Sequence, residues 1–307
     1  MNMPVIKHST VDRFTMPEWP VLIYTDLDGT LLDHDDYRCD AARPALQRLQ
    51  AASVPVIPVT SKTLAELENL ATSVPFKHPW IVENGGMIVM PDNYFDITEG
   101  IPKLNQYHVK KLAPDYASIL DALSQIRLQS GFRFMGFSDF NVEEISRHTG
   151  LPPDRARLAK QRECSEPLLW QDSDSAFVTF TEQLMSYDLT AIQGGRFIHV
   201  MGKVDKQIAI AQLNHLYRQN GFRQFVSVAL GDSPNDQHML ETADIAVVIR
   251  RKDGTNMRIA KQTDVYYSHA TGPAGWNECM TALIRRIDNL MKNGQRDISL
   301  SDLRELS

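Results

Sequence analysis

The first patterned segment of the chain, Val21–Thr25, is a continuous apolar run that stops abruptly at the polar cluster "DLDGT". A run without alternation predicts a strand buried on both faces, as in a parallel sheet. Asp40–Ala52 then shows helical spacing through Ala41, Leu46 and Leu49, and a second apolar run, "VPVIPVT" (Val54–Thr60), ends in another polar cluster. Pro55 and Pro58 weigh against a full-length strand there, because each lacks a ladder donor. Helical spacing returns through Leu64, Leu67 and Leu70, and a third run, "WIVENGG" (Trp80–Gly86), ends in Gly-Gly. Strand, helix, strand, helix, strand predicts an α/β fold: a doubly wound, mostly parallel, Rossmann-like sheet with right-handed crossovers.

The rhythm changes after Gly86. Met87 to about Met201 mixes strand-like runs ("GMIVM", "FRFMGF", "AFVTFTE", "RFIHVM") with helical segments such as Val109–Leu128. The α/β rhythm resumes with a helix over Asp205–Gln219, then "FVSVALGDSPND" (Phe225–Asp236), strands in Asp244–Ile249 and Val265–Ser268, and a terminal helix over Ala274–Met291. The pattern predicts one α/β core, 21–86 and 202–307, interrupted by an inserted α+β cap over 87–201. Residues 1–20 are expected to form a loose arm, with Met16 an alternative start.

Composition narrows the class. The 307 residues suffice for two domains, and 43% hydrophobic with 23% charged content is ordinary for a soluble globular protein. A net charge of −6 argues against a nucleic-acid partner. Cys39, Cys164 and Cys279 lie far apart without a CxxC pair, which fits reduced thiols in a cytoplasm. No stretch has the length for a signal peptide core or a membrane span, so a cytoplasmic location is expected.

Ligands in open α/β sheets bind beyond the carboxyl ends of the strands. Four polar clusters fall at such ends: "DLDGT" (Asp26–Thr30), "TSKT" (Thr60–Thr63), "ENGG" (Glu83–Gly86) and "GDSPND" (Gly231–Asp236). Each alone reads equally well as a turn or a helix cap. Together they bring Asp26, Asp28, Asp232 and Asp236 to one crevice. Four carboxylates there repel, and a hard divalent cation relieves them; all-oxygen ligands point to Mg2+ over zinc.

At this point "DLDGTLL", the strand-end Thr60, Lys206 and "GDSPND" resemble, in order, the four motifs of the haloacid dehalogenase-like phosphatases. An insert after the third strand resembles the subgroup with a large α/β cap. More specifically, "AKQRECSEPLLW" (Ala159–Trp170), "GGRFIHVMGKVDK" (Gly194–Lys206) and "GPAGW" (Gly272–Trp276) resemble the mannosyl-3-phosphoglycerate phosphatase family. One departure is Gln207, where related sequences have Gly after the lysine.

The resemblance implies phosphomonoester hydrolysis through an aspartyl-phosphate. Asp26 is then the nucleophile and Asp28 the general acid and base. Mg2+ is held by Asp26, the backbone carbonyl of Asp28 and the Asp232 carboxylate. Asn235 and Asp236 act through the metal's waters or by orienting Lys206. Thr60 binds a phosphoryl oxygen and Lys206 supplies positive charge, with Lys203 as a competitor for that role. Arg196 is a candidate contact to a carboxylate or sugar, and Asn84 and Gly85 let backbone approach the ligand. His199 is either a ligand contact or a core histidine, and Arg162 with Glu166 is expected as a cap ion pair. The expected partner is a small phosphorylated glycoside, with neither nucleic acid nor membrane. A broader sugar-phosphate phosphatase and a non-catalytic phosphometabolite-binding regulator stay open as alternatives.

Overall fold

A computed structural model describes residues 13–303, except 75, 99, 195, 261–263 and 296–297. In chain order the first strands and helices are β1 (Val21–Thr25), α1 (Arg43–Ala51), β2 (Val56–Pro58), α2 (Leu64–Leu70), β3 (Trp80–Val82), β4 (Met87–Pro91), β5 (Lys103–Leu104) and β6 (Tyr107–Lys111). Next come α3 (Tyr116–Ser130), β7 (Phe134–Gly136), α4 (Val142–Thr149), α5 (Pro153–Ala159), β8 (Ser165–Trp170), α6 (Asp174–Met185), β9 (Leu189–Gln193) and β10 (Ile198–Gly202). The chain then returns through α7 (Lys206–Gln219), β11 (Val226–Gly231), α8 (Gln237–Thr242), β12 (Ile245–Arg250), β13 (Val265–Thr271), α9 (Gly272–Lys292) and α10 (Leu300–Leu303).

The central sheet runs β13-β12-β11-β1-β2 and all its pairs are parallel. β1 shows why its sequence is unbroken apolar: Val21 and Ile23 face one hydrophobic cluster, Leu22 and Tyr24 the other. Leu46 and Leu49 of α1 and Trp276, Met280 and Leu283 of α9 fill the first cluster. Ala209 and Leu213 of α7 and Met239 and Leu240 of α8 fill the second. The chain leaves β1 on one side for β2 and returns on the other side at β11, so the switch point lies at the carboxyl end of β1.

The break between sheets does not fall at Gly86. β4 pairs with β3, β6 pairs with β4, and a Val59–Ile81 bridge links β2 to β3. Met87 and Val89 enter one core cluster while Ile88 and Met90 enter the other, so this strand continues the two-faced core. These strands form a four-stranded antiparallel sheet, β3-β4-β6-β5, and a second antiparallel sheet, β7-β8-β10-β9, begins only after Leu112. Ile119 and Leu123 of α3 and Phe180 and Leu184 of α6 cover one side of it. Phe137, Phe140, Ile145 and Leu151 form a further small cluster.

Other expectations shift with local chemistry. The helix expected from Val109 starts at Tyr116, because Val109 is already paired in β6 and Pro114 intervenes. "AFVTFTE" is helical within α6, not a strand. Ser173 caps it by accepting from Ala176 N, and Phe180 and Leu184 sit one turn apart on its buried side. The arm is ordered where it is described: Trp19 is fully buried and Phe14 packs on Tyr94, Phe95, Tyr217 and Phe222. Residues 1–12 lie outside the described residues. Among the described residues no helix is long and apolar enough to cross a membrane.

Candidate active site

The carboxyl end of β1 delivers Asp26 directly into the crevice, nearly buried. Opposite it, Asp205 caps α7 by accepting from Ile208 N at 2.8 Å, so Lys206 leaves the first position of that helix. Its ammonium, 1% exposed, lies 2.6 Å from Asp26 Oδ1 and 2.6 Å from Asp236 Oδ1. Burial opposes the ammonium's charge, but Asp236 and Asp26 outweigh it and hold Lys206 protonated. Lys203 stands outside this cluster, exposed and paired with Asp188 at 2.9 Å.

"SPND" acts as both a cap and a site element. The Asp236 Oδ2 accepts from the backbone N–H groups of Asp232 and Ser233, at 3.1 and 3.0 Å, and from the Ser233 hydroxyl. Its other oxygen reaches Lys206. Asp232 accepts from Thr30 Oγ1 at 3.2 Å, and a Cβ on Gly29 would come within 2.9 Å of Asp232 Oδ2. Carboxylate oxygens of Asp26, Asp232 and Asp236 lie within 4.8 Å of one another.

The electrostatics show a cluster short of positive charge. Burial pushes the Asp26 carboxyl well up, Lys206 pulls it back, and Asp236, Asp232 and Asp28 add to the rise. Asp232 is pushed up to about 7, by burial first and then by Asp236. An all-oxygen donor set without His or Cys, crowded to this degree, fits a hard divalent cation such as Mg2+. Asp28 is not in that set. Its Oδ2 forms an ion pair with Lys62 at 2.9 Å, while its Oδ1 is buried without a hydrogen-bond partner among the described residues.

Thr60 is buried beside them and accepts from Lys62 N at 3.2 Å. Thr63, three residues on, closes a capping box with Glu66 and starts α2, so "TSKT" holds both the cap and the site residue. Asn84 adopts φ 55°, ψ 30°; its Oδ1 accepts from Asn235 Nδ2 at 3.1 Å, and its buried Nδ2 has no partner among the described residues. The close approach that Gly85 permits is to protein: at φ +99°, an added Cβ would meet Asp205 O at 2.2 Å. Gly85→Ala is expected to cost about 2–4 kcal/mol of stability and to lower turnover by displacing the start of α7 and Lys206. Chemical denaturation and turnover measurements on the purified variant check this.

The "RECSEP" segment ties the insert to this end of the core. Glu83, fully buried, accepts from Glu163 N at 2.9 Å, Cys164 N at 3.2 Å and Ser165 Oγ at 2.6 Å. Arg162 pairs with Glu83 at 3.4 Å, not with Glu166, and also donates to Ser61 O. Glu166 instead accepts from Tyr116 OH and from the N–H and hydroxyl of Ser138. Glu83 and Lys62 were absent from the expected site. Both sit inside strand-end clusters, but what they touch depends on contacts far along the chain.

A cleft of about 670 Å³ opens between the strand ends and the insert, lined by Asp28, Tyr37, Lys62, Arg162, Arg196 and His199 among others. Arg196 is exposed and donates to His148 O. Burial, with Arg162 and Lys206 nearby, depresses His199 to about 3, and its Nδ1 is buried without a partner among the described residues. At neutral pH this imidazole is uncharged.

Residues 23–125 match the family model for haloacid dehalogenase-like hydrolases. A glucosyl-3-phosphoglycerate/mannosyl-3-phosphoglycerate phosphatase of Methanococcoides burtonii is 39% identical over 270 residues, 88% of this chain and 99% of that protein. The chain belongs to the haloacid dehalogenase-like hydrolases. Within these hydrolases it is a phosphatase of the same family as that Methanococcoides burtonii protein. A Persephonella marina phosphatase of the same name is 35% identical, covering 87% of this chain and 98% of its own. The hydrolase fold is matched by a haloacid dehalogenase-like hydrolase from B. subtilis, with TM-score 0.59, 17% identity and coverage of 85% and 98%.

Proposed function

We propose that this phosphatase is Mg2+-dependent, works through a phosphorylated Asp26, and removes phosphate from mannosyl-3-phosphoglycerate or its glucosyl counterpart to give the glycosylglycerate. The observation that carries the chemistry is the buried Lys206 ammonium held between Asp26 and Asp236, with Asp232 alongside. Such a cation offsets the repulsion between an attacking carboxylate and a phosphate dianion. Asp26 attacks phosphorus in line as the ester P–O bond breaks, and Asp28 gives its proton to the leaving alkoxide. Asp28 then takes a proton from the water that attacks the aspartyl-phosphate, which releases inorganic phosphate and restores Asp26.

Both oxygens of Asp236 are engaged by Lys206 and by N–H and O–H donors, which suits an orienting role beside the direct ligands Asp26, the Asp28 carbonyl and Asp232. Bound there, Mg2+ supplies positive charge to the phosphoryl oxygens. Thr60 has its hydroxyl proton, and Asn84 its unpartnered amide, to offer a phosphoryl or glyceryl oxygen. Asn235 fixes the Asn84 amide, and Arg196 lines the cleft as a contact for the glycosyl end. The substrate class rests on the two relatives' names and near full-length identity. Three buried free thiols support a reducing, cytoplasmic setting. The complete set of Asp26, Asp28, Thr60 and Lys206 weighs against a non-catalytic regulator.

Phosphate release from a panel of phosphomonoesters tests this reading. Mannosyl- or glucosyl-3-phosphoglycerate is expected to exceed simple hexose phosphates by about 100-fold in kcat/KM, a difference of about 3 kcal/mol. Release should stop on chelation and return with Mg2+. Comparable rates across the panel would leave the broader sugar-phosphate phosphatase; activity indifferent to chelation would remove the metal.

A further inference from the structure

The mechanism above leaves Lys62, a largely enclosed cation beside the reacting groups, without a task. Lys62 has a side chain only 11% exposed, pairs with Asp28 Oδ2 at 2.9 Å, and lines the same cleft as Arg196. Its ammonium is also 4.8 Å from the centre of the Tyr37 ring and 3.9 Å from Glu66 Oε1. These contacts fix its position, yet Glu66 stands beyond hydrogen-bond distance. An ammonium carries three donors, so the pair with Asp28 does not exhaust it.

We infer that Lys62 is the specificity-determining residue that binds the substrate's carboxylate. The inference rests on the phosphoglycerate reading above. In a 3-phosphoglyceryl ester the carboxylate is two carbons from the ester oxygen that leaves. Asp28 must reach that oxygen, so a cation touching Asp28 stands at the right remove to take the carboxylate. One ammonium then bridges the proton donor and the carboxylate, holding the leaving oxygen against Asp28. Of the other cleft cations, Arg162 is already engaged by Glu83, Ser61 and Ser165. Arg196 belongs to the insert, bonded to His148 O, on the side that suits the glycosyl group.

The test compares 3-phosphoglycerate with glycerol 3-phosphate, which replaces the carboxylate by CH2OH, as competitive inhibitors of p-nitrophenyl phosphate hydrolysis by the Mg2+-loaded enzyme. For wild type the carboxylate compound should have the lower Ki. Lys62→Met should raise that Ki by about 10- to 100-fold and leave the glycerol 3-phosphate Ki within about threefold. Lys62→Arg should recover part of the preference. A Ki ratio unchanged in Lys62→Met overturns the assignment, and so does an equal loss for both inhibitors, which marks a purely structural lysine. A wild type with no preference defeats the phosphoglycerate reading itself, together with this inference. A preference that survives in Lys62→Met defeats only the role of Lys62.

Discussion

Asp26→Asn is expected to lower kcat by about 10⁴-fold or more while leaving the fold intact, because an amide cannot form the acyl phosphate. The substitution is nearly isosteric, and Lys206 keeps Asp236 as a partner at 2.6 Å. Stability should not fall either. Burial and three neighbouring carboxylates raise Asp26 well above the usual carboxylate range, despite Lys206. An acid whose folded pKa is raised subtracts stability above its unfolded pKa, and the loss disappears as the pH falls and the group protonates. A permanently neutral amide removes that penalty at neutral pH. In chelator, thermal unfolding of Asp26→Asn should therefore lie no lower than that of wild type at pH 7, and the two should converge toward pH 4. Mg2+-dependent turnover surviving in a well-folded Asp26→Asn would refute the nucleophile.

Some of this site is written in contiguous residues, and some is made only by folding. Asp26 and Asp28 share one motif at one strand end, and Asp232 to Asp236 share another, so their convergence needs only the parallel order of β1 and β11. Lys206 is preferred to Lys203 because "K-x-x-A" at Lys206–Ala209 fits the third motif of the resembled family, and in the structure Lys206 pairs with Asp26 while Lys203 pairs with Asp188. The Asn84–Asn235 and Lys62–Asp28 pairs are different in kind. Each joins two strand-end turns through side-chain direction, which apolar periodicity does not encode. Glu83 was hidden for the same reason: its partners Glu163 to Ser165 come from the insert. In the fold, Met87–Pro91 misled because a doubly buried strand looks alike whether it ends a core or begins a cap. "AFVTFTE" misled because β-branched and aromatic residues suggest a strand, whereas the Ser173 cap and the Phe180–Leu184 spacing win locally.

Lys206→Met is expected to lose both stability and activity, in contrast to Asp26→Asn. The lysine is 1% exposed and paired with two carboxylates that are themselves almost fully buried. Removing one partner of a buried ion pair leaves uncompensated charge and costs about 3–5 kcal/mol. Here the remaining groups are Asp26 and Asp236, already within 4.8 Å of each other and of Asp232. Without the ammonium that pulls it down, the already raised folded pKa of Asp26 rises further, so its destabilisation is full above that value and absent below the unfolded carboxyl pKa of about 4. The stability deficit of Lys206→Met, measured by chemical denaturation in chelator, should therefore shrink steadily from pH 8 toward pH 5. Mg2+ should restore part of it at neutral pH, since the cation faces the same carboxylates. Activity should stay low even with Mg2+ present, by about 10³-fold or more, because among the described residues Lys206 alone forms an ion pair with Asp26. A deficit that is constant across pH would mean that the lysine's packing, and not its charge, holds the cluster together.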